Sequence, residues 1–188
     1  MLTQPDQKPE TSLSDFFNRE IGIPTIWILV GIATATLIAD QLTKYLIREN
    51  FALGESWPRE GFFRITHGTN TGTAFGLFPD QTLLLTIASV VAIGFIIYFY
   101  KAHGRQTWLT GLNIGLLLGG AFGNLIDRVI AGRVTDFIDV GAWPIFNIAD
   151  SAVVVGITLL IANMLLFEGR EDRVPDQSDA ETTNHDPK

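Results

Sequence analysis

Between Gly119 and Asp150 the chain reads GGAFGNLIDRVIAGRVTDFIDVGAWPIFNIAD, and here charged side chains break into long apolar runs. Asp127, Arg128, Arg133, Asp136 and Asp139 stand with Asn124 and Asn147, and Asp150 lies a few residues inside the next apolar run. Two carboxylates brought together can direct water at a carbonyl without a metal or a side-chain nucleophile. Like charges about 3 Å apart cannot both ionise, so one keeps a proton; the pair is then base toward water and acid toward a carbonyl. The candidate pair is Asp136 with Asp150, because Phe137 and Ile138, and Ile148 and Ala149, flank them and favour desolvation. Asp127 is a third candidate by position. Arg128 follows it directly, and an arginine within about 4–6 Å keeps a carboxylate ionised, so Asp127 is expected to orient Arg128 or tie its helix to the neighbouring structure. A plainer reading makes Asp136 a helix cap or turn residue, and the whole stretch a polar extramembrane loop with two caps. That reading suits Asp139 and Arg133. It does not suit Asp150, which precedes about 17 mostly apolar residues and so falls within a spanning segment, where a carboxylate is costly unless paired or facing water.

Other chemistries lack their residues. The chain has no cysteine, which removes disulfides, thiolate nucleophiles and Cys-ligated zinc. His67, His103 and His185 lie in separate polar segments, and neither HExxH nor GxSxG occurs, so a histidine-held metal or a Ser-His-Asp triad is not expected. The net charge of −7 comes largely from the ends, and nothing forms a basic nucleic-acid face.

The elements that must carry these residues are apolar helices. Hydrophobic residues make up 47% of the 188, although both ends are polar, so the apolar content is concentrated in the middle of one domain. Residues 1–20 read as a disordered tail, too long and acidic for the start of a cleaved signal peptide. Thr25 to about Ile47 can cross a bilayer, since about 20 residues span roughly 30 Å. Its last turns carry Asp40 and Lys44, which at i and i+4 pair on one face. Residues 48–81 are polar and rich in Gly, Phe and Thr. Alternation in Phe62–Thr66, followed by a turn at HGTNTG, predicts a small β-structure, with Asn70 and Gly72 on a tight backbone path. Thr82–Tyr100 reads as a plain lipid-facing span. Trp108 to about Ile126 is a third, with Gly111, Gly115, Gly119, Gly120 and Gly123 at spacings that let helices approach closely; Asn124, Asp127 and Arg128 share a face at its end. Phe146–Phe167 is a fourth, with Asn147 and Asp150 on one face, and residues from 168 onward read as a second solvated tail. Four spans put both termini on one side and gather Lys44, Asp127 and Asp150 on the other. Seven Lys and Arg fall on the termini side and five in the opposite connections. The short connector with Lys101 and Arg105 favours a cytoplasmic termini side.

Five stretches, in order, resemble the motifs of the lipoprotein signal peptidase (signal peptidase II) family of bacterial membrane aspartic peptidases. They are Asp40-Gln-Leu-Thr-Lys44, Asn70-Thr-Gly-Thr-Ala-Phe75, Gly119 to Arg128, Val134-Thr-Asp-Phe-Ile138 and Phe146-Asn-Ile-Ala-Asp150. The resemblance covers 25–167. It implies an all-α membrane protein of four transmembrane helices with a small extracytoplasmic β-cradle, a membrane domain at 21–168, and disordered cytoplasmic tails at 1–20 and 169–188. It places the protein in the bacterial cytoplasmic (inner) membrane, with the site near the outer face. The implied partners are prolipoproteins carrying a diacylglyceryl cysteine, cut just before that cysteine, and membrane lipid. A monomer with no cofactor is expected. Asp136 and Asp150 take the catalytic positions; Asp40, Lys44, Asn70, Gly72, Asn124, Asp127, Arg128 and Asn147 take supporting ones. Thr73 stands where the family usually has alanine, and the connection from Asp136 to Asp150 is short. Two readings from other classes use the same residues: an ion- or proton-coupled carrier, against which the absence of inverted repeats counts, and a non-catalytic membrane scaffold.

Overall fold

The structure, a computed structural model, describes residues 23–71, 81–103 and 107–167. The two expected tails, Gly72 and Thr73 lie outside them. The elements run α1 (Ile23–Asn50), β1 (Ser56–Trp57), β2 (Arg64–Asn70), α2 (Thr82–His103), α3 (Trp108–Ala131), β3 (Val134–Asp139) and α4 (Ile148–Phe167). Among the described residues α1, α2 and α3 are long and apolar enough to cross a membrane, and α4 has a shorter apolar stretch, Ile148–Asn163.

Local chemistry sets the ends of α3. Thr107 accepts the Thr110 N–H as N-cap, and Gly132 closes the helix in the left-handed region at φ 68, its N–H bonded to the Arg128 carbonyl. Only glycine takes that conformation without a Cβ penalty. The helix therefore extends a full turn past the expected Ile126 and carries Asp127 and Arg128 within it.

Helix α3 is the centre of the bundle and packs on α1, α4 and α2. The glycine spacing works as anticipated. A Cβ on Gly111, Gly115 or Gly119 would come within 2.7–2.9 Å of a backbone carbonyl of α1, and one on Gly123 would strike the Asp40 carboxylate. Below the charged end, Leu29, Ile93, Tyr100, Ile114, Leu117 and Leu118 make the core. Large apolar side chains cover the outside of α2, among them Leu83, Ile87, Val91 and Phe95. Helix α2 is the outward-facing apolar helix expected, and in addition Thr82 and Ser89 bond to Gly132 and Arg128 of the α3 end.

The β-structure joins both connections. The three strands are antiparallel in the order β1-β2-β3. The expected turn at HGTNTG is a correction: His67 to Asn70 continue β2 through a register shift between Ile65 and Gly68. Pairing with a strand from 64 residues further on overrides the local turn preference of Gly and Asn. After β3 the chain doubles back, with Ile138 and Phe146 forming an isolated bridge. That fold-back is how so short a connection joins Asp136 to Asp150.

Candidate active site

Helix α1 supplies the first layer. Asp40, Lys44 and Arg48 repeat at four-residue intervals on one face. Lys44 has no exposed surface and spends its three N–H bonds on Asp40 Oδ2 (2.8 Å), Asn124 Oδ1 (2.9 Å) and Asp127 Oδ2 (3.3 Å). A buried ammonium needs such saturation. The other Asp40 oxygen accepts the N–H of Ala149 at 2.9 Å, in the first turn of α4, where the helix dipole favours an anion.

Asp127, from α3, is tied to the sheet rather than to Arg128. It accepts the Thr135 N–H (3.1 Å) and a bond from Gln41 (3.3 Å), and lies 3.7 Å from Arg48, which also donates to Thr135 Oγ1 at 3.1 Å. Of the two roles expected for Asp127, the tie to the cradle is therefore the one found. Arg128 turns to α2, donating to Ser89 Oγ at 3.3 Å, and its strongest electrostatic interaction with an acid is with Asp150, followed by Asp136 and then Asp127.

Asn147 and Asp150 are the N-cap and third residue of α4. The Asp150 N–H donates to Asn147 Oδ1 (2.9 Å), and the Asn147 N–H donates to Asp150 Oδ2 (3.3 Å). This is a reciprocal capping box, so the plainer reading of a helix cap is true of Asn147 and does not exhaust it. Its side-chain amide also donates to Asp136 Oδ1 at 2.7 Å and to Asn124 Oδ1 at 3.1 Å. Asn124 in turn donates to Asp150 Oδ1 at 2.7 Å. One asparagine thus touches both Asp136 and Asp150, and the second links that bridge to Lys44.

Asp136 is a strand residue, not a cap or turn. It is buried, opposite Gly68 in the ladder, and Asn70, two positions along the same face, reaches it by a side-chain hydrogen bond. Burial and, next, the charge of Asp150 push its carboxyl from the ordinary 3.8 up to about 7, against the opposing pull of Asn147, Lys44 and Asn70. Asp139, on the same strand, behaves oppositely. Burial would raise it, but the Gly141 N–H, the Thr66 hydroxyl and Arg64 (2.8 Å) hold it below the usual value.

Asp40, Lys44, Asn70, Asn124, Asp127, Asp136, Asn147 and Asp150 therefore fall in one network, with Arg128 directed from the same helix as Asn124 and Asp127 to Ser89; Gly72 lies outside the described residues. Gln41, Arg48, Thr135 and Gly68 were missed. The four-residue rhythm of 40, 44 and 48 was a usable signal for Arg48. Nothing local marks Thr135, which matters through its backbone. Within the network the acids divide. Asp40, Asp127 and Asp139 have a cation within 4 Å, whereas Asp136 and Asp150, among the described residues, accept bonds from amide and backbone N–H groups.

Two acids left without a tight cation, one buried and the other half-buried, and linked through shared amides, are equipped to share a proton: this is a membrane enzyme of the aspartic peptidase class. Residues 32–166 match the model described as Signal peptidase (SPase) II, and the chain belongs to that family. It is 46% identical over 148 residues to a lipoprotein signal peptidase of Desulfitobacterium hafniense, covering 78% of this chain and 96% of the relative. Identity to the lipoprotein signal peptidase of Moorella thermoacetica is 42%, over 77% of this chain and 97% of that one. A solved structure described as a bacterial membrane enzyme superposes with a TM-score of 0.72 at 32% identity, covering 81% of this chain and 94% of the other.

Proposed function

We propose that this chain removes signal peptides from prolipoproteins by cutting just before a diacylglyceryl-modified cysteine, with Asp136 and Asp150 as the catalytic pair. The observation that carries the assignment is Asn147, whose one side chain and backbone N–H engage both carboxylates while ion pairs occupy the neighbouring acids. Asp136, protonated up to about pH 7, is the acid; Asp150 is the base. Asp150 takes a proton from water, the water oxygen bonds to the scissile carbonyl carbon, and Asp136 gives its proton to the carbonyl oxygen. Collapse of the resulting gem-diol breaks the C–N bond. The proton on Asp150 passes to the leaving nitrogen, and a gem-diol hydroxyl returns a proton to Asp136, restoring the starting state.

The same reading takes α4 as the fourth span, because its 20 residues reach about 30 Å. It puts the termini in the cytoplasm, the sheet and site at the outer face, and the working protein as a monomer. Two acyl chains would hold the scissile bond at the depth of the aspartates, each buried CH₂ contributing about 0.8 kcal/mol. The test is cleavage by the purified chain in detergent, with no ion gradient, of a peptide bearing a diacylglyceryl cysteine. Cleavage before that cysteine, with the unlipidated peptide cut far more slowly, is expected. Equal cutting of both peptides would remove the lipid from the reading, and no cutting of either would remove the activity.

A further inference from the structure

Arg128 has an unusual placement for a guanidinium among acids. Three carboxylates act on it, Asp150 most strongly, yet among the described residues none lies within ion-pairing distance. It donates instead to the neutral Ser89 Oγ on α2, at 3.3 Å. A helical side chain leans toward its helix's N-terminus, so Arg128 tips away from the sheet and into the bundle. Ser89 is fixed to receive it. Its hydroxyl proton is committed to the Leu85 carbonyl at 2.8 Å, which leaves an oxygen lone pair as acceptor.

We propose that Ser89 is a positioning residue for the peptidase reaction, holding the Arg128 guanidinium beside the carboxylate pair but out of a direct ion pair with Asp150. The proposal rests on Asp136 and Asp150 being that pair. A cation at this remove helps the pair to carry one negative charge. A cation in contact would lock the base in its ionised form and make it a poorer proton acceptor. The other charged groups facing the pair are already committed: Lys44 and Asp40 of α1 to each other, and Asp127 of α3 to Lys44 and the Thr135 N–H. Asp139 of β3 is held by Arg64. Arg128 is thus the cation whose distance from the pair one neutral hydroxyl controls. Deleting that hydroxyl leaves the guanidinium drawn toward Asp150, its strongest acidic partner.

The test compares Ser89→Ala and Ser89→Thr in the full-length membrane protein, at matched abundance, with full pH–rate profiles on a diacylglyceryl peptide. Threonine should keep the acceptor, since Thr86 on the same helix makes the same bond to the carbonyl four residues back, at 2.7 Å. Ser89→Ala is expected to lower kcat about tenfold with little change in KM, and to move the acid limb of the profile down by about one pH unit. Ser89→Thr should restore both. An acid limb that stays in place or moves up in Ser89→Ala, or a threonine variant that behaves like alanine, would overturn the proposal. Asp136→Asn and Asp150→Asn are run alongside. If both are inactive, an unaffected Ser89→Ala defeats the Ser89 role alone; if either still turns over, the assignment of the pair fails and the Ser89 role with it.

Discussion

The carboxylate of Asp127 accepts the backbone N–H of Thr135 at 3.1 Å, so α3 carries the strand position immediately before Asp136. Asp127 thus holds the residue next to Asp136 while its own oxygens are committed to Thr135, Lys44 and Gln41. Asp136→Asn and Asp150→Asn are each expected to abolish turnover, because an amide is neither base nor acid. Asp127→Asn should keep measurable turnover, reduced about 10- to 100-fold as the charge beside Lys44 and the hold on Thr135 weaken. Cleavage rates at matched abundance decide this. A well-inserted but inactive Asp127→Asn beside an active Asp136→Asn would reverse the assignment.

The pH dependence follows from Asp136. As the acid, it must be protonated, and its carboxyl is raised to about 7, so kcat/KM should fall above a midpoint near that pH. For stability the sign is the reverse of the usual aspartate. The folded protein binds this proton more tightly than the unfolded chain, so the ionised form destabilises the fold by an amount that grows as pH rises from 3.8 to about 7 and is then constant. Asp136→Asn should therefore be more stable than the parent at pH 8, by on the order of 2–4 kcal/mol, and nearly equal to it near pH 4. Thermal unfolding in detergent at the two pH values measures the difference. A variant no more stable at pH 8 than at pH 4 would contradict the raised carboxyl.

Lys44 neutralises two buried acids at once. Lys44→Met would leave Asp40 and Asp127 without their shared cation, a loss of about 3–5 kcal/mol. The expected readout is low abundance and a lower unfolding temperature, with activity falling in step. Lys44→Met at full abundance and stability would show that Arg48 and Gln41 suffice.

The approach of α1 to α3 depends on missing side chains. A Cβ at Gly115 would lie 2.8 Å from the Ile32 Cβ and 2.9 Å from the Leu29 carbonyl, while one at Gly31 meets nothing within 4 Å. Gly115→Leu should separate the helices, at a cost of about 1–3 kcal/mol or more, and cut activity by displacing Asp40 and Lys44. Gly31→Ala should be neutral or stabilising by about 0.5–1 kcal/mol. Unfolding temperatures of the two variants make the comparison, and equal behaviour would remove the close-packing argument.

What was legible in the chain by itself was whatever a single helix could express. The apolar runs, the i and i+4 pairing of Asp40 with Lys44 and the Gly111–Gly115–Gly119 stripe are all local periodicities, and each reappears in the structure. Side-chain spacing on a helix is rigid enough that residues three and four apart must share a face. The tertiary structure decided what depended on distant partners. His67 to Asn70 look like a turn until β3 pairs with them. Asp136 looks like a cap until the Ile138–Phe146 bridge folds it back toward α4. Arg128 follows Asp127 in the chain, but α3 directs the two side chains to different neighbours, Ser89 on one side and Thr135 on the other. A carboxylate's role in a dry site is set by which cations and amides reach it. Here they come from α1, α3, β2 and the start of α4, which only folding brings together.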